Sequence, residues 1–253
     1  MSDWLKHFFK LEKMTINNMD HSHIWKIVDL EIIPYMHALD LQHRMVEARR
    51  NGIMKTDTVL LLEHPPVYTL GHNSGLGNIK VSKEILKQNG IQVVKTKRGG
   101  DITYHGPGQI IAYPIIDMKA TRLGITEYVA ALEEVMIRTS WDWGVKSKRN
   151  SLNRGVWVGN KKIGSVGIAI HHGITSHGIA FNVDLSLKYF SWINPCGLND
   201  ITMTSLKQEG ADKIDIKEVK NKIVFHMETV FGIKPFIWNS REFLRQFPLI
   251  TET

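Results

Sequence analysis

Between Ile24 and Leu30 (IWKIVDL) apolar and polar residues alternate, the period of a half-buried strand, and from Tyr35 to Arg50 the apolar positions Met36, Leu39, Met45 and Val46 recur at helical spacing. Thr58 to Glu63 (TVLLLE) reads as a buried strand stopped by Pro65 and Pro66, with extended chain resuming from Val67 to Leu70 before a loop, Gly71 to Gly77. Ser82 caps a short helix that ends at Gly90, and Ile91 to Thr96 is β-branched enough for the next strand. The longest apolar run, Ile110 to Ile116, predicts a core strand, and Thr126 to Trp141 a helix with Tyr128, Leu132, Val135, Met136 and Thr139 on one side. From Val156 to Val183 the pattern becomes strand, turn at Gly159–Asn160, strand, turn at Gly173, strand, the antiparallel part of a mixed sheet. Asp215 and Glu218 form a capping box for a last helix closed by Gly232. No repeat or linker divides the chain, so the expectation is one α/β domain with a single mixed sheet and a small helical C-terminal portion.

Composition narrows the class. Hydrophobic residues are 43% and charged residues 23% of the 253 residues, ordinary for a globular protein, and no apolar run is long enough to cross a bilayer. The single cysteine excludes an intramolecular disulfide and suits a reducing compartment, hence a cytoplasmic protein and no membrane. A net charge of +7 steers anionic partners to the surface, but the basic residues are scattered and no basic helix interleaved with aromatics suggests nucleic acid. Residues 1–22 could form a short amphipathic helix, yet they hold Asp3 and Glu12 and no arginine, so they read as an N-terminal extension rather than a transit peptide.

Two segments carry candidate chemistry. Arg98 to Gln109 (RGGDITYHGPGQ) is too glycine-rich for regular structure and reads as a shaped loop, its glycines allowing close backbone approach, Arg98 able to hold an anion, Tyr104 and His105 able to line a pocket. Ile193 to Leu198 (INPCGL) places Cys196 in a turn between Pro195 and Gly197, which suits a nucleophile, with the N–H groups of Cys196 and Gly197 able to bind an oxyanion. Such a thiol needs a base or cation. His171 and His172 are consecutive and would face opposite ways; His177, opening HGIAFNV, is the better histidine; Lys162 reads locally as a solvated hairpin lysine. Gly164, Ser165 and Gly167 leave room for a ligand beside that strand. Cys196, His105, His171 and His177 would make a zinc set, but no metal-ligand spacing supports it, and no GxSxG elbow is present.

Taken together, EHPPVYTLG (63–71), RGGDITYHGPGQIIAYP (98–114), KKIGSVGI (161–168), HGIAFNVDL (177–185) and INPCGL (193–198) resemble the lipoyl(octanoyl) transferase family over residues 24 to 210. The resemblance implies the α/β fold of biotin and lipoate protein ligases, with residues 23–253 as the catalytic domain. It implies transfer of an octanoyl group from octanoyl-acyl carrier protein to a lysine of a lipoyl domain, as in 2-oxoacid dehydrogenase E2 subunits and the glycine cleavage H protein. It places the acyl-thioester on Cys196 and its pKa-lowering lysine on Lys162. It places acyl binding on Arg98, Gly99, Gly100, Asp101, Ile102, Thr103, Tyr104 and His105, on Ser165, Val166 and Gly167, and on Gly178, Ile179 and Ala180; His177 stays, on the local reading alone, an auxiliary candidate. No cofactor or metal is implied. The competing expectations are an ATP-dependent lipoate or biotin ligase on the same fold, which would need no cysteine, and a non-catalytic acyl-binding protein.

Overall fold

The computed structural model describes residues 24–72, 74–150, 153–194 and 201–250. The first half runs β1 (Ile24–Ile32), α1 (Tyr35–Arg50), β2 (Asp57–Glu63), β3 (Val67–Leu70), α2 (Lys83–Gln88), β4 (Gln92–Lys95), β5 (Thr103–His105), β6 (Gln109–Ile115), α3 (Met118–Thr121) and α4 (Ile125–Asp142). The second runs β7 (Lys148–Arg149), β8 (Val156–Val158), β9 (Lys161–His171), β10 (Ile174–Asn182), β11 (Thr202–Met203), α5 (Ile216–Phe231), β12 (Lys234–Ile237) and α6 (Ser240–Gln246).

Two sheets form where the sequence suggested one. The large sheet has the order β12-β1-β2-β6-β10-β9-β8-β7 with β11 against β9, and the small one the order β4-β3-β5. The chain passes from large to small sheet at Pro65–Pro66, which have no N–H to continue the β2 ladder, and returns through the Gly106–Gly108 turn. Those two crossings are tied together, since the Gly108 N–H donates to Glu63 Oε2 at 2.8 Å. Part of the supposed loop 98–109 is therefore strand: β5 pairs antiparallel with β3, Tyr68 opposite Tyr104.

β2 and β6 are buried along their whole length, which is why they read as unbroken apolar runs. One face of the large sheet, with Val59, Leu61, Ile110, Ala112 and Phe181, packs with residues of α4 and α5 in one core; the other, with Leu60, Leu62, Ile111 and Ile115, packs with residues of α1 and α6. Each such aliphatic side chain contributes roughly 1.5–3 kcal/mol on burial. The buried face of α1 is Tyr35, Ala38, Leu41, Gln42, Met45 and Val46; Met36, expected inside, is exposed. The C-terminal portion is not a separate helical piece, because β12 pairs in parallel with β1 and extends the sheet.

Two irregularities shape the middle of the large sheet. Pro114 sits in the interior strand β6, where it cannot donate, and the β6–β10 register stops at Ala112↔Ile179. Beyond it His177 takes a left-handed conformation (φ 56°), and its N–H donates to Gln42 Oε1 of α1 at 2.6 Å. At the far end of the β9–β10 hairpin, His172 and Gly173 form a two-residue turn with both φ positive, leaving His171 and His172 exposed at the tip.

Candidate active site

A cavity of about 520 Å³ opens beside the β9–β10 hairpin and under the segment Arg98–Thr103. Its floor is poor in side chains because small residues face one another across the hairpin, Ser165 opposite Ala180 and Gly167 opposite Gly178. Gly178 is demanded by the packing: a Cβ there would lie 2.2 Å from the Ala112 carbonyl oxygen and 2.7 Å from Pro114 Cδ. Gly164, expected to open this floor, instead faces Met136 of α4. The lid is held by Gly99, whose N–H donates to the Ile168 carbonyl at 2.9 Å. Gly100, Asp101, Ile102, Thr103, Val166, Ile179 and His105 complete the predicted lining.

Two predicted binding residues differ in their placing. Arg98 lines the cavity and is 8% exposed, and its guanidinium donates to Thr69 Oγ1 at 2.9 and 3.1 Å, to the Thr69 carbonyl at 2.6 Å and to the Gly99 carbonyl at 3.1 Å. It shapes the loop against β3 rather than presenting an open fork to an anion. Tyr104 is absent from the lining; it is buried in the small-sheet core, its ring 5.7 Å from that of Tyr68 and 5.4 Å from that of Phe190. Alternation along β5 sends Tyr104 to that core and His105 to the cavity.

Lys162 is where local reading fails most. It is 1% exposed, lines the cavity, donates to Asn153 Oδ1 at 2.8 Å and holds its Nζ 5.4 Å from the Trp157 ring centre. Its neighbour Lys161 points outward to the Glu209 carboxylate. The β8–β9 register slips between Val156↔Gly164 and Trp157↔Lys162, a bulge beside the lysine of the kind that re-aims side chains next to sites.

Cys196, with Pro195 and Gly197, lies outside the described residues, as do residues 1–23. Of the residues flanking that cysteine, the Asn194 N–H donates to the Asn78 carbonyl at 2.9 Å, and Asn78 Nδ2 donates to both carboxylate oxygens of Asp101. On the other side Thr202 and Met203 run parallel to Lys161 and Lys162, and the Thr204 N–H donates to the Lys162 carbonyl at 2.9 Å.

Below the lid lies a buried polar cluster of which sequence reading named His105 and His177 and missed Tyr35, His64 and Tyr113. Tyr35 and Tyr113 line the cavity with His105 and His177, and the Tyr113 hydroxyl meets His64 Nε2 at 2.9 Å while His64 Nδ1–H donates to the Ile33 carbonyl. Burial pushes His64 down to about 4, lowers His105 well below the usual imidazole range, and with the Arg98 charge takes His177 down to about 3. All three rings are neutral near pH 7. Burial likewise raises the Tyr35 phenol to about 12. His105 is fixed by Gln109 Oε1 at 2.7 Å, and Gln109 Nε2 passes the chain of hydrogen bonds to Asn182 Oδ1. The one sequence signal for the missed members was a phenol, Tyr113, inside an otherwise aliphatic run. Asn153, Thr126 and Val129, also on the wall, carry no comparable mark.

His171 of the hypothetical zinc set sits at the hairpin tip and does not join His105 and His177 at the cavity. No helix among the described residues is long and apolar enough to cross a membrane.

The lipoyl protein ligase A/B catalytic-domain model matches residues 34–228. An octanoyltransferase of Desulfotalea psychrophila is 48% identical over 208 residues, covering 81% of this chain and 93% of that one. Another, of Syntrophobacter fumaroxidans, is 43% identical over 205 residues, covering 81% and 90%. Among solved structures, a lipoate-protein ligase A bound with ATP superposes with a TM-score of 0.69 at 16% identity, covering 88% of this chain and 93% of that one, which speaks to the fold. With a catalytic-domain model spanning most of its length and relatives this similar over about four fifths of it, the chain belongs to the octanoyltransferases of the lipoyl protein ligase A/B family.

Proposed function

We propose that the chain moves an octanoyl group from octanoyl-acyl carrier protein to the lysine of a lipoyl domain, through a thioester on Cys196. The observation that carries the reading is the buried Lys162 side chain, its amine on the wall of a cavity floored by Ser165, Gly167, Gly178 and Ala180. An interior lysine needs a reason, because removing a charge from water is costly. Activation of the family's thiol supplies one.

The steps balance without an external energy source. Lys162 favours the Cys196 thiolate by its charge or takes the thiol proton directly. The thiolate attacks the carrier's thioester carbonyl, a carbon–sulfur bond forms at Cys196 and the bond to the carrier thiol breaks, and that thiol leaves with a proton. In the second half-reaction the acceptor lysine, deprotonated, attacks the new thioester; an amide forms and the Cys196 sulfur leaves. Lys162, its amine free of the thiol proton once the carrier thiol has left with it, accepts the amine proton, and His177, which faces the cavity but whose burial holds it neutral, is the auxiliary group beside it. The acyl chain rests over the glycine floor, beneath Gly99, Gly100 and Thr103. The reading extends to E2 subunits and the glycine cleavage H protein as acceptors, to the cytoplasm as the compartment, and to residues 23–253 as the catalytic unit.

Mass spectrometry of the full chain after incubation with octanoyl-acyl carrier protein tests this. The expected result is an octanoyl adduct, absent in Cys196→Ala and strongly reduced in Lys162→Met. Acyl-adenylate formation from ATP with no adduct would assign the chain to the ligase chemistry of its fold relatives instead. Binding of the carrier with neither adduct nor adenylate would make it an acyl-binding protein.

A further inference from the structure

Lys162 is held at three points, and one of them is a residue no motif marks. Its stem runs along Gly155, which is at φ 125° and where a Cβ would lie 2.6 Å from Lys162 Cε and 2.4 Å from the Gly164 carbonyl oxygen. Its ring contact is the indole of Trp157. Its head donates to Asn153 Oδ1 at 2.8 Å. Asn153 in turn is anchored through the main chain: its carbonyl accepts from Trp157 Nε1 at 3.2 Å, and two residues on the Gly155 N–H donates to Glu133 Oε1 of α4 at 2.7 Å. The turn 153–155 is thus pinned on both sides, and the Asn153 amide is directed at the amine.

We infer that Asn153 is a positioning residue for the reaction, its amide oxygen fixing the rotamer and the hydrogen-bonding direction of the Lys162 amine. The inference rests on the reading of Lys162 as the activating group. A neutral acceptor suits this role, because it orients the amine without supplying a counter-charge. A carboxylate at the same place would favour the protonated amine and cancel part of its field on a neighbouring thiol. The charged groups on the elements around the lysine include Glu133, engaged with Arg149 and Gly155; Glu134, paired with Arg138 and Arg149; Lys148 on β7; Arg154 in the same turn; Lys161, paired with Glu209; and Arg98 and Asp101 across the cavity. The histidines at the cavity are neutral near pH 7.

The test compares the wild-type full chain with Asn153→Ala and Asn153→Asp. Because there is one thiol, iodoacetamide alkylation reports its ionisation directly, and octanoyl-acyl carrier protein reports self-acylation. Asn153→Ala is expected to lower the acylation rate constant about tenfold with little change in KM, the loss of one charge-assisted hydrogen bond. Asn153→Asp, which keeps the acceptor, is expected to retain the alkaline rate but to displace both profiles upward by about one pH unit. A merely structural asparagine would change the melting temperature and leave the profiles in place. Wild-type rates and profiles in both folded variants would overturn the inference. If Asn153→Ala does not fold, an unshifted Asn153→Asp profile overturns it and a shifted one supports it. If the wild-type chain itself forms no adduct, the catalytic reading has failed; the Lys162 amine followed by ¹⁵N NMR then still decides the Asn153 bond, since an unchanged titration in Asn153→Asp overturns it and a raised one upholds it.

Discussion

Lowering the pH from 7 to 5 should destabilise this protein through its buried imidazoles, well before its carboxylates begin to protonate. In the folded chain His64 and His177 take a proton only near pH 4 and 3, and His105 is shifted the same way. In the unfolded chain each imidazole accepts one near its ordinary value of about 6.5. Between those limits the unfolded state binds more protons, so stability falls as pH falls, and the loss from His64 ends near pH 4, where the folded ring is protonated too. At pH 5 the unfolded ring is almost fully protonated, and each neutral buried ring then costs about 2 kcal/mol relative to pH 7. Two rings make ~4 kcal/mol, a large share of the 5–15 kcal/mol typical of a domain. Asp57, whose carboxyl is raised by burial, opposes the trend as it takes up a proton in the folded chain ahead of the unfolded one. Urea unfolding followed by tryptophan fluorescence at pH 7, 6 and 5 measures the change. Equal unfolding free energies at pH 7 and 5, or NMR titration of these rings near 6.5, would refute the reasoning.

Three further outcomes are expected. Gly178→Ala forces a methyl group against the Ala112 carbonyl and Pro114, and should cost at least 1–3 kcal/mol by denaturant unfolding, with acylation reduced in the fraction that folds. Tyr104→Phe, altering a ring in the small-sheet core outside the cavity, should leave the acylation rate within about twofold; a tenfold loss would return Tyr104 to the binding site. With a net charge of +7, and with the carrier protein of the proposed reaction taken as acidic, the encounter rate with octanoyl-acyl carrier protein should fall as ionic strength rises, and a rate independent of salt would exclude electrostatic steering.

The strands that face two cores were plain in the sequence, because TVLLLE and the run around Ile110–Ile116 leave no polar face to misassign. The faces of single-sided elements were harder. In α1 the helical period was visible, but Tyr35 and Gln42 are buried by what packs on them while Met36 is left outside, and periodicity alone does not choose between those stripes. That β3 leaves the sheet of β2 was foreshadowed by Pro65–Pro66; which strands it joins depends on partners 25 to 38 residues further on, such as Val67 opposite Gln92 and His105. Lys161 and Lys162 are chemically identical, and alternation predicts only that they point apart. Which one is interior is decided by a bulge opposite Val156–Trp157 and by a glycine seven residues upstream. Hence the family motif identified the lysine that local reading had placed in solvent, while Asn153 went unseen.

The small sheet has a consequence for how the protein fails under stress. Its core contains Ile193 and Met203, the residues on either side of the segment bearing Cys196, and Ile102 from the lid over the cavity. The lysine, by contrast, is rooted in the large sheet. A sub-global opening that released only the small core would therefore free the lid and the Ile193 side of the segment bearing Cys196, while the main sheet, with Thr202–Met203 still paired to Lys161–Lys162, stayed folded. Activity should vanish at a lower denaturant concentration than secondary structure, and amide exchange in β3 and β5 should be faster than in β2 and β6. The enzyme's working limit would then be set by ten buried side chains rather than by the larger cores that dominate its unfolding free energy.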